Sequence, residues 1–137
     1  MTELPRMVLL VEDQLDASDL LERLVRQAYG EADITTCITV SHALAQMDRR
    51  WSLALIDLRL LDGSGIDVLR RMRSHPVTCL VPVVVLTSSS EEEDMLDSYQ
   101  AGANSYIRKP VGFSEFVEVV SGLGVYWLSY NEEPPRR

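Results

Sequence analysis

Five side chains that can take part in phosphoryl transfer each stand at the end of an apolar run of the sequence. They are the acidic pair Glu12 and Asp13, the carboxylate of Asp57, the hydroxyl of Thr87 and the ammonium of Lys109. A carboxylate can attack phosphorus and form an acyl phosphate. Because the transferred group spreads its charge over its outer oxygens, catalysis consists mainly of positioning and of cations. The residue types therefore predict reversible phosphorylation of a carboxylate, which we expect to be Asp57.

Three carboxylates at one point repel one another unless a cation joins them. Oxygen ligands favour a hard cation, and an open site that keeps several waters suits Mg²⁺. We therefore expect Mg²⁺ beside Glu12, Asp13 and Asp57. Lys109 and Thr87 would contact the remaining phosphoryl oxygens. Two alternatives stay open, in which the acidic pair only caps the following helix or Lys109 is an ordinary surface lysine.

Pro110 directly follows the predicted catalytic lysine. The peptide bond before a proline adopts the cis form far more readily than any other peptide bond. We predict a cis bond between Lys109 and Pro110, which would bend the lysine side chain into the site.

These side chains meet only if the preceding runs are neighbouring parallel strands, because open α/β sheets bind ligands at the carboxyl ends of their strands. Continuous runs of Val, Leu and Ile are typical of strands buried on both faces. The predicted strands cover residues 8–11, 53–56, 83–86 and 105–108. A more mixed run, 34–38, is predicted near an edge, and the strand before Asp57 is predicted to be central.

Helical patterns separate the strands, which predicts a doubly wound α/β domain with right-handed crossovers. Five helices are expected, over 16–29, from the capping residue Ser41, after Gly65, from about Ser90 and from about Ser114. A chain of 137 residues supports one domain. We expect an N-terminal tail at 1–6, the domain at 7–124 and a C-terminal extension at 125–137.

Composition argues against several partners. A net charge of −8 does not favour nucleic acid, whose phosphates need clustered cations. Arg70, Arg71 and Arg73 do cluster, and we interpret them as a solvated helix face. The longest apolar stretch, 79–86, is too short for a membrane span of about 20 residues. The start of the chain is polar and unlike a signal peptide, so we expect a cytoplasmic protein.

Four motifs together resemble the receiver domain of two-component response regulators. They are Glu12-Asp13, Asp57 in LIDLRLLDGSG, Thr87 in VVVLTSS and Lys109 in ANSYIRKP. The resemblance covers roughly residues 7–124 and implies a flavodoxin-like fold, with a five-stranded parallel sheet of order 2-1-3-4-5 and five helices. It also implies that a phosphohistidine of a sensor histidine kinase donates the phosphoryl group.

The resemblance extends to the metal ligands. It implies that Asp13, Asp57 and the backbone carbonyl of Arg59 bind Mg²⁺, and Glu12 would act on the metal through water. The chain departs from the family at Leu61, where proline is usual. The Arg59 side chain is long enough to shield the site from water or to reach the phosphate.

The resemblance also implies a conformational switch. Thr87 would be drawn toward the phosphate, and the ring of Tyr106 would enter the space that Thr87 leaves. Taken alone, Tyr106 is equally compatible with a strand residue whose hydroxyl lies in water. Ser89 stands at a position that tunes the lifetime of the phosphoryl group in the family.

Three aromatic residues near the end of the chain, Tyr126, Trp127 and Tyr130, follow Gly122 and Gly124. Either Trp127 folds back on the core, or the cluster forms a subunit interface, where Tyr and Trp are enriched and symmetric pairing is usual. This ending resembles single-domain regulators that work with bacterial phytochromes and dimerise through an extended last helix. We therefore expect a homodimer and a bacteriophytochrome as the candidate kinase.

Three rival functions use the same fold or the same nucleophile. Aspartate phosphatases need an acid two residues after the nucleophile, where this chain has Arg59, so we do not expect an enzyme with turnover. An acidic loop at 12–16 would repel a flavin phosphate. An interaction module that keeps the fold but works without phosphorylation would normally lack the acidic pair, the acceptor or the lysine, and this chain retains all of them. From the phosphorylated chain, we expect the signal to pass to another protein, such as a downstream phosphotransfer protein.

Overall fold

The computed structural model describes residues 6–135, in which five parallel strands form one sheet. The strands are β1 (Met7–Val11), β2 (Asp33–Cys37), β3 (Leu53–Ile56), β4 (Val83–Thr87) and β5 (Ser105–Arg108). Their order is β2-β1-β3-β4-β5. The predicted parallel sheet and its strand order are confirmed, with the mixed strand β2 at one edge and β3, which precedes Asp57, at the centre.

Within residues 6–135, five α-helices cover the two faces of the sheet, as predicted. They are α1 (Leu15–Ala28), α2 (Val40–Leu44), α3 (Gly65–Ser74), α4 (Glu92–Ala101) and α5 (Phe113–Val125). Helices α1 and α5 pack on one face, and α2 and α3 pack on the other. Every residue of β3 and β4 is buried, which is why their sequences lack alternating polar positions. Among residues 6–135, no helix is both long and apolar enough to cross a membrane.

Helix α2 does not begin at the predicted cap, Ser41. Its N-cap is Thr39, whose side-chain oxygen accepts a hydrogen bond from the backbone N–H of His42. The carboxylate of Asp62 accepts hydrogen bonds from the backbone N–H groups of the two residues after Thr39, at 2.6 Å from Val40 and 3.2 Å from Ser41. The loop after β3 is therefore tied to the start of α2.

The segment after Asp57 is a short hairpin, in which Arg59–Leu60 pairs with Gly63–Ser64 in antiparallel register. The following residue, Gly65, lies against the backbone of Asp57. A Cβ atom at this position would lie 2.1 Å from the carbonyl oxygen of Asp57. Gly65 therefore lets α3 begin directly beneath the end of β3.

Arg73 does not belong to a solvated helix face, in contrast to the prediction. Its guanidinium donates hydrogen bonds to the carbonyl oxygens of Val81 at 2.7 Å and Gly102 at 2.8 Å, and to the side chain of Asn104 at 3.0 Å. Burial lowers the pKa of Arg73. The side chain joins the end of α3 to the start of β4 and to the loop before β5.

The C-terminal extension starts as a π-helical continuation of α5 at Tyr126–Tyr130. Trp127 packs against the core formed by α1 and α5, and Leu128 is completely buried there. Tyr126 and Tyr130 are 50% and 74% exposed. The aromatic cluster therefore divides, with Trp127 folded back on its own domain. The domain boundary at 124 stays a prediction.

Candidate functional site

Three carboxylates meet at the carboxyl ends of β1 and β3. Glu12, Asp13 and Asp57 each offer an oxygen atom, and these oxygens lie within 4.8 Å of one another. The backbone is held by bonds that continue the sheet, since Glu12 N–H donates to Cys37 at 3.0 Å and Asp57 N–H donates to Val11 at 2.9 Å. The cluster is thus positioned by backbone bonds between neighbouring strands of the sheet.

Lys109 supplies a cation to this cluster. Its ammonium donates hydrogen bonds to a carboxylate oxygen of Glu12 and, at 3.1 Å, to Oδ2 of Asp57. Its side chain is only 11% exposed, so Lys109 is not an ordinary surface lysine. Burial raises the pKa of Glu12 against the opposing hydrogen bond and charge of Lys109.

The predicted cis bond before Pro110 is wrong, because none of the peptide bonds between residues 6 and 135 is cis. The backbone N–H of Lys109 donates to the carbonyl oxygen of Thr87 at 2.7 Å. This bond continues the pairing of β4 with β5 beyond its last strand residues. Lys109 therefore reaches the carboxylates from an ordinary trans backbone.

The donor set suits a hard divalent cation. Three carboxylates face one ammonium, so the ionised cluster carries two more negative than positive charges. Oxygen ligands are those that Mg²⁺ and Mn²⁺ prefer. The backbone N–H of Arg59 donates to Oδ1 of Asp57 at 3.4 Å. The predicted role of the Arg59 carbonyl as a further ligand stays a prediction.

Thr87 and Tyr106 lie on neighbouring strands beside the cluster. Thr87 ends β4 and is 1% exposed, and its hydroxyl accepts a hydrogen bond from the N–H of Ser89 at 3.4 Å. The Tyr106 hydroxyl donates to the carbonyl oxygen of Ser89 at 2.9 Å, and burial raises the pKa of Tyr106. The hydroxyl is therefore not free in water. The switch roles of both residues stay predictions.

Comparison with known proteins identifies the family. Residues 8–121 match the model of the response regulator receiver domain. The chain belongs to this family.

This receiver domain is similar to the response regulator Rcp1 of Synechocystis, with 29% identity over 132 residues that cover 90% of each chain. A crystal structure of the phosphorylated cyanobacterial phytochrome response regulator RcpA superimposes with a TM-score of 0.90, at 28% identity over 96% of this chain and 100% of RcpA. A structure of the Mn²⁺-bound form of Rcp1 gives a TM-score of 0.89, at 28% identity over 96% of this chain and 100% of Rcp1.

Some other relatives are longer proteins. The KDP operon transcriptional regulatory protein KdpE of Escherichia coli is 36% identical over 112 residues, which cover 79% of this receiver domain and 46% of KdpE.

Sequence reasoning missed one polar residue beside the site of this receiver domain. Asp94, in the first turn of α4, accepts a hydrogen bond from Ser89 Oγ at 2.5 Å and lies 3.8 Å from the guanidinium of Arg59. In the sequence it is one of four consecutive acidic residues, 91–94, which are typical of a helix start. Its contacts with Ser89 and Arg59, which distinguish Asp94 from the other three acidic residues, are visible only in the folded chain.

Proposed function

We propose that this receiver domain accepts a phosphoryl group on Asp57 from a phosphohistidine of a sensor histidine kinase, with Mg²⁺, and then signals to partner proteins in a cytoplasmic phosphorelay. One observation carries the proposal. Asp57 combines a buried backbone position, two neighbouring carboxylates and the Lys109 ammonium at 3.1 Å. This set combines a nucleophile with the charges that phosphoryl transfer needs.

In the proposed transfer, a carboxylate oxygen of Asp57 forms a bond to phosphorus. The bond from phosphorus to the imidazole nitrogen of the donor breaks, and its electron pair stays on that nitrogen. Lys109 stabilises the charge on one outer phosphoryl oxygen, and the Thr87 hydroxyl reaches another. The phosphoryl group is lost by a separate hydrolysis step, in which water attacks phosphorus, the phosphorus–oxygen bond to Asp57 breaks with its electron pair staying on the carboxylate, and inorganic phosphate leaves.

Mg²⁺ would be held by Asp13, Asp57 and the carbonyl of Arg59, with Glu12 acting through water. When bound, the ion neutralises charge on the transferred phosphoryl group. Movement of Thr87 toward that group, followed by the ring of Tyr106, would shift the population of two conformations. The hydrogen bond from Tyr106 to the Ser89 carbonyl supports a place for the ring close to Thr87.

The phosphoryl donor is the part of the proposal that rests on relatives. RcpA is described as a cyanobacterial phytochrome response regulator, and its structure matches 96% of this chain with a TM-score of 0.90. A bacteriophytochrome kinase is therefore the candidate partner. A downstream phosphotransfer protein is a candidate recipient of the phosphoryl group.

Mass spectrometry tests the central step. After incubation with Mg²⁺ and acetyl phosphate or phosphoramidate, the intact protein should gain about 80 Da, the mass of one phosphoryl group. The Asp57→Asn variant should show no gain. Asp67→Asn, at an exposed position on α3, is the matched control and should behave like the wild type. Failure to form the adduct when EDTA removes Mg²⁺ from the incubation would support the metal. An interaction module that works without phosphorylation would show no adduct under any condition.

The proposal includes a homodimer formed by the C-terminal extension. Because Trp127 packs on its own core, Tyr126 and Tyr130 are the aromatic side chains of the described extension that remain exposed for a second copy. Light scattering should give twice the chain mass of 15.4 kDa for the wild type and a single chain mass for Tyr126→Ser/Tyr130→Ser. Tyr99→Ser is the control, since Tyr99 is 52% exposed on α4. A wild-type monomer at micromolar concentration would contradict the dimer.

A further inference from the structure

We infer that Asp94 is a positioning residue that holds the Arg59 guanidinium away from Asp57 and thereby shortens the lifetime of the phosphorylated state. The inference deepens the proposed function and rests on it. Asp94 competes with a phosphoryl group on Asp57 for the guanidinium of Arg59.

The geometry places Arg59 between two anions. Its backbone N–H donates to Oδ1 of Asp57 at 3.4 Å, which anchors the residue at the phosphate acceptor. Its guanidinium instead lies 3.8 Å from Oδ2 of Asp94. Because the backbone of Arg59 is already held at Asp57, we expect rotation about its side-chain bonds to exchange one anion for the other.

Asp94 itself is fixed in position. Ser89 Oγ donates to the same Oδ2 atom at 2.5 Å, and Ser89 is only 7% exposed. The backbone carbonyl of Ser89 accepts the hydrogen bond of Tyr106, at 2.9 Å. The carboxylate that holds Arg59 is therefore part of a network that ends at the proposed switch residue.

The competition favours the phosphoryl group. The Arg59 side chain is 76% exposed, and exposed ion pairs are weak because water and salt screen them. A phosphoryl group on Asp57 carries about 1.5 to 2 negative charges, and a guanidinium can bind two of its oxygens at once. Arg59 should therefore leave Asp94 when Asp57 is phosphorylated. The energy of breaking the pair is subtracted from the stability of the phosphorylated state.

The Asp94→Asn variant tests this competition, because asparagine can keep the hydrogen bond to Ser89 and loses the negative charge. Acetyl phosphate serves as donor with saturating Mg²⁺, and intact mass measures the phosphorylated fraction. We expect the donor concentration that gives half the maximal rate to fall about threefold, while the maximal rate stays unchanged. Phosphoryl loss should be about threefold slower. A factor of about three is in the range that an exposed ion pair supports. A purely structural change would move the maximal rate as well.

Two further variants make the test specific. Arg59→Gln should lose the phosphoryl group faster than the wild type, and adding Asp94→Asn to it should change nothing further. Glu93→Gln removes the same charge from an exposed position in the same turn and should match the wild type.

The two levels of failure are distinguishable. A wild type without any adduct on Asp57 overturns the proposed function. If the wild type forms the adduct but Asp94→Asn leaves the half-maximal donor concentration and the rate of phosphoryl loss unchanged, only the role of Asp94 is overturned. An equal effect of Asp94→Asn in the Arg59→Gln background also overturns it, because Asp94 would then act without Arg59.

Discussion

Lys109 is the only lysine in the chain, which makes it a spectroscopic probe of its own site. Burial alone would lower the pKa of Lys109. Its hydrogen bond to Glu12 and the charges of Asp57 and Glu12 outweigh burial, so the pKa is raised above its ordinary value of 10.5. Asp57→Asn removes one of these charges, and we expect the pKa of Lys109 to fall in this variant.

An NMR titration of the single lysine, in the absence of divalent metal, measures this pKa directly. Asp67→Asn removes a carboxylate from the exposed part of α3 and should leave the titration unchanged. Equal pKa values in the wild type and in Asp57→Asn would show that the two side chains are not coupled.

Gly65 is the residue at which a single methyl group should disturb the site most. An added Cβ would lie 2.1 Å from the carbonyl oxygen of Asp57 and 2.7 Å from a methyl carbon of Ile56. Overpacking of this kind costs about 1–3 kcal/mol. Gly65→Ala should lower the free energy of unfolding in urea by that amount and slow phosphorylation by acetyl phosphate.

Gly122→Ala provides the opposite case for comparison. Gly122 lies within α5, and an added Cβ would meet no atom within 4 Å. Replacing a glycine inside a helix by alanine stabilises by about 0.5–1 kcal/mol. The Gly65 prediction is wrong if Gly65→Ala leaves the free energy of unfolding unchanged or raises it, as we expect for Gly122→Ala.

At the scale of elements, the sequence predicts those strands and helices whose formation depends on the local pattern of apolar and polar residues. The strands are predictable because burial on both faces leaves only apolar residues, and the strand ends then indicate Glu12, Asp13 and Asp57. The Asp62 contact to the start of α2 is not predictable, since it joins residues 22 positions apart along the chain. The bond before Pro110 is trans, although the local sequence favours a cis prediction because it contains a proline.

Arg73 shows the same limit at the end of α3. The arginine cluster indicates a solvated face, yet Arg73 bonds to backbone carbonyls of two distant loops, at Val81 and Gly102. Arg73→Met would leave these carbonyls without a donor, at a cost of about 1–3 kcal/mol. We expect a lower urea midpoint for Arg73→Met, with the largest loss of amide protection in β4 and the loop before β5.

Arg71→Met is the matched control, since Arg71 is exposed on the same helix. Exposed substitutions usually change the free energy of unfolding by less than about 0.5 kcal/mol. If both arginines behave alike, the hydrogen bonds of Arg73 add nothing to stability.

At the scale of the whole molecule, the C-terminal extension has a buried side and an exposed side that its sequence does not separate. Leu128 is completely buried in the core formed by α1 and α5, whereas Tyr130, two residues later, is 74% exposed. The π-helical turn places them on different sides. The extension therefore stabilises the domain through Leu128 and leaves Tyr130 available to a second copy.

Leu128→Ala and Tyr130→Ser should separate folding from assembly. Leu128→Ala creates a core cavity and should lower the free energy of unfolding by about 2–5 kcal/mol at any protein concentration. Tyr130→Ser should lower thermal stability only at concentrations where the wild type is dimeric, because association stabilises by mass action. Melting curves over a hundredfold range of concentration measure both effects. A concentration-independent loss in Tyr130→Ser would mean that this side chain serves the fold and not the interface.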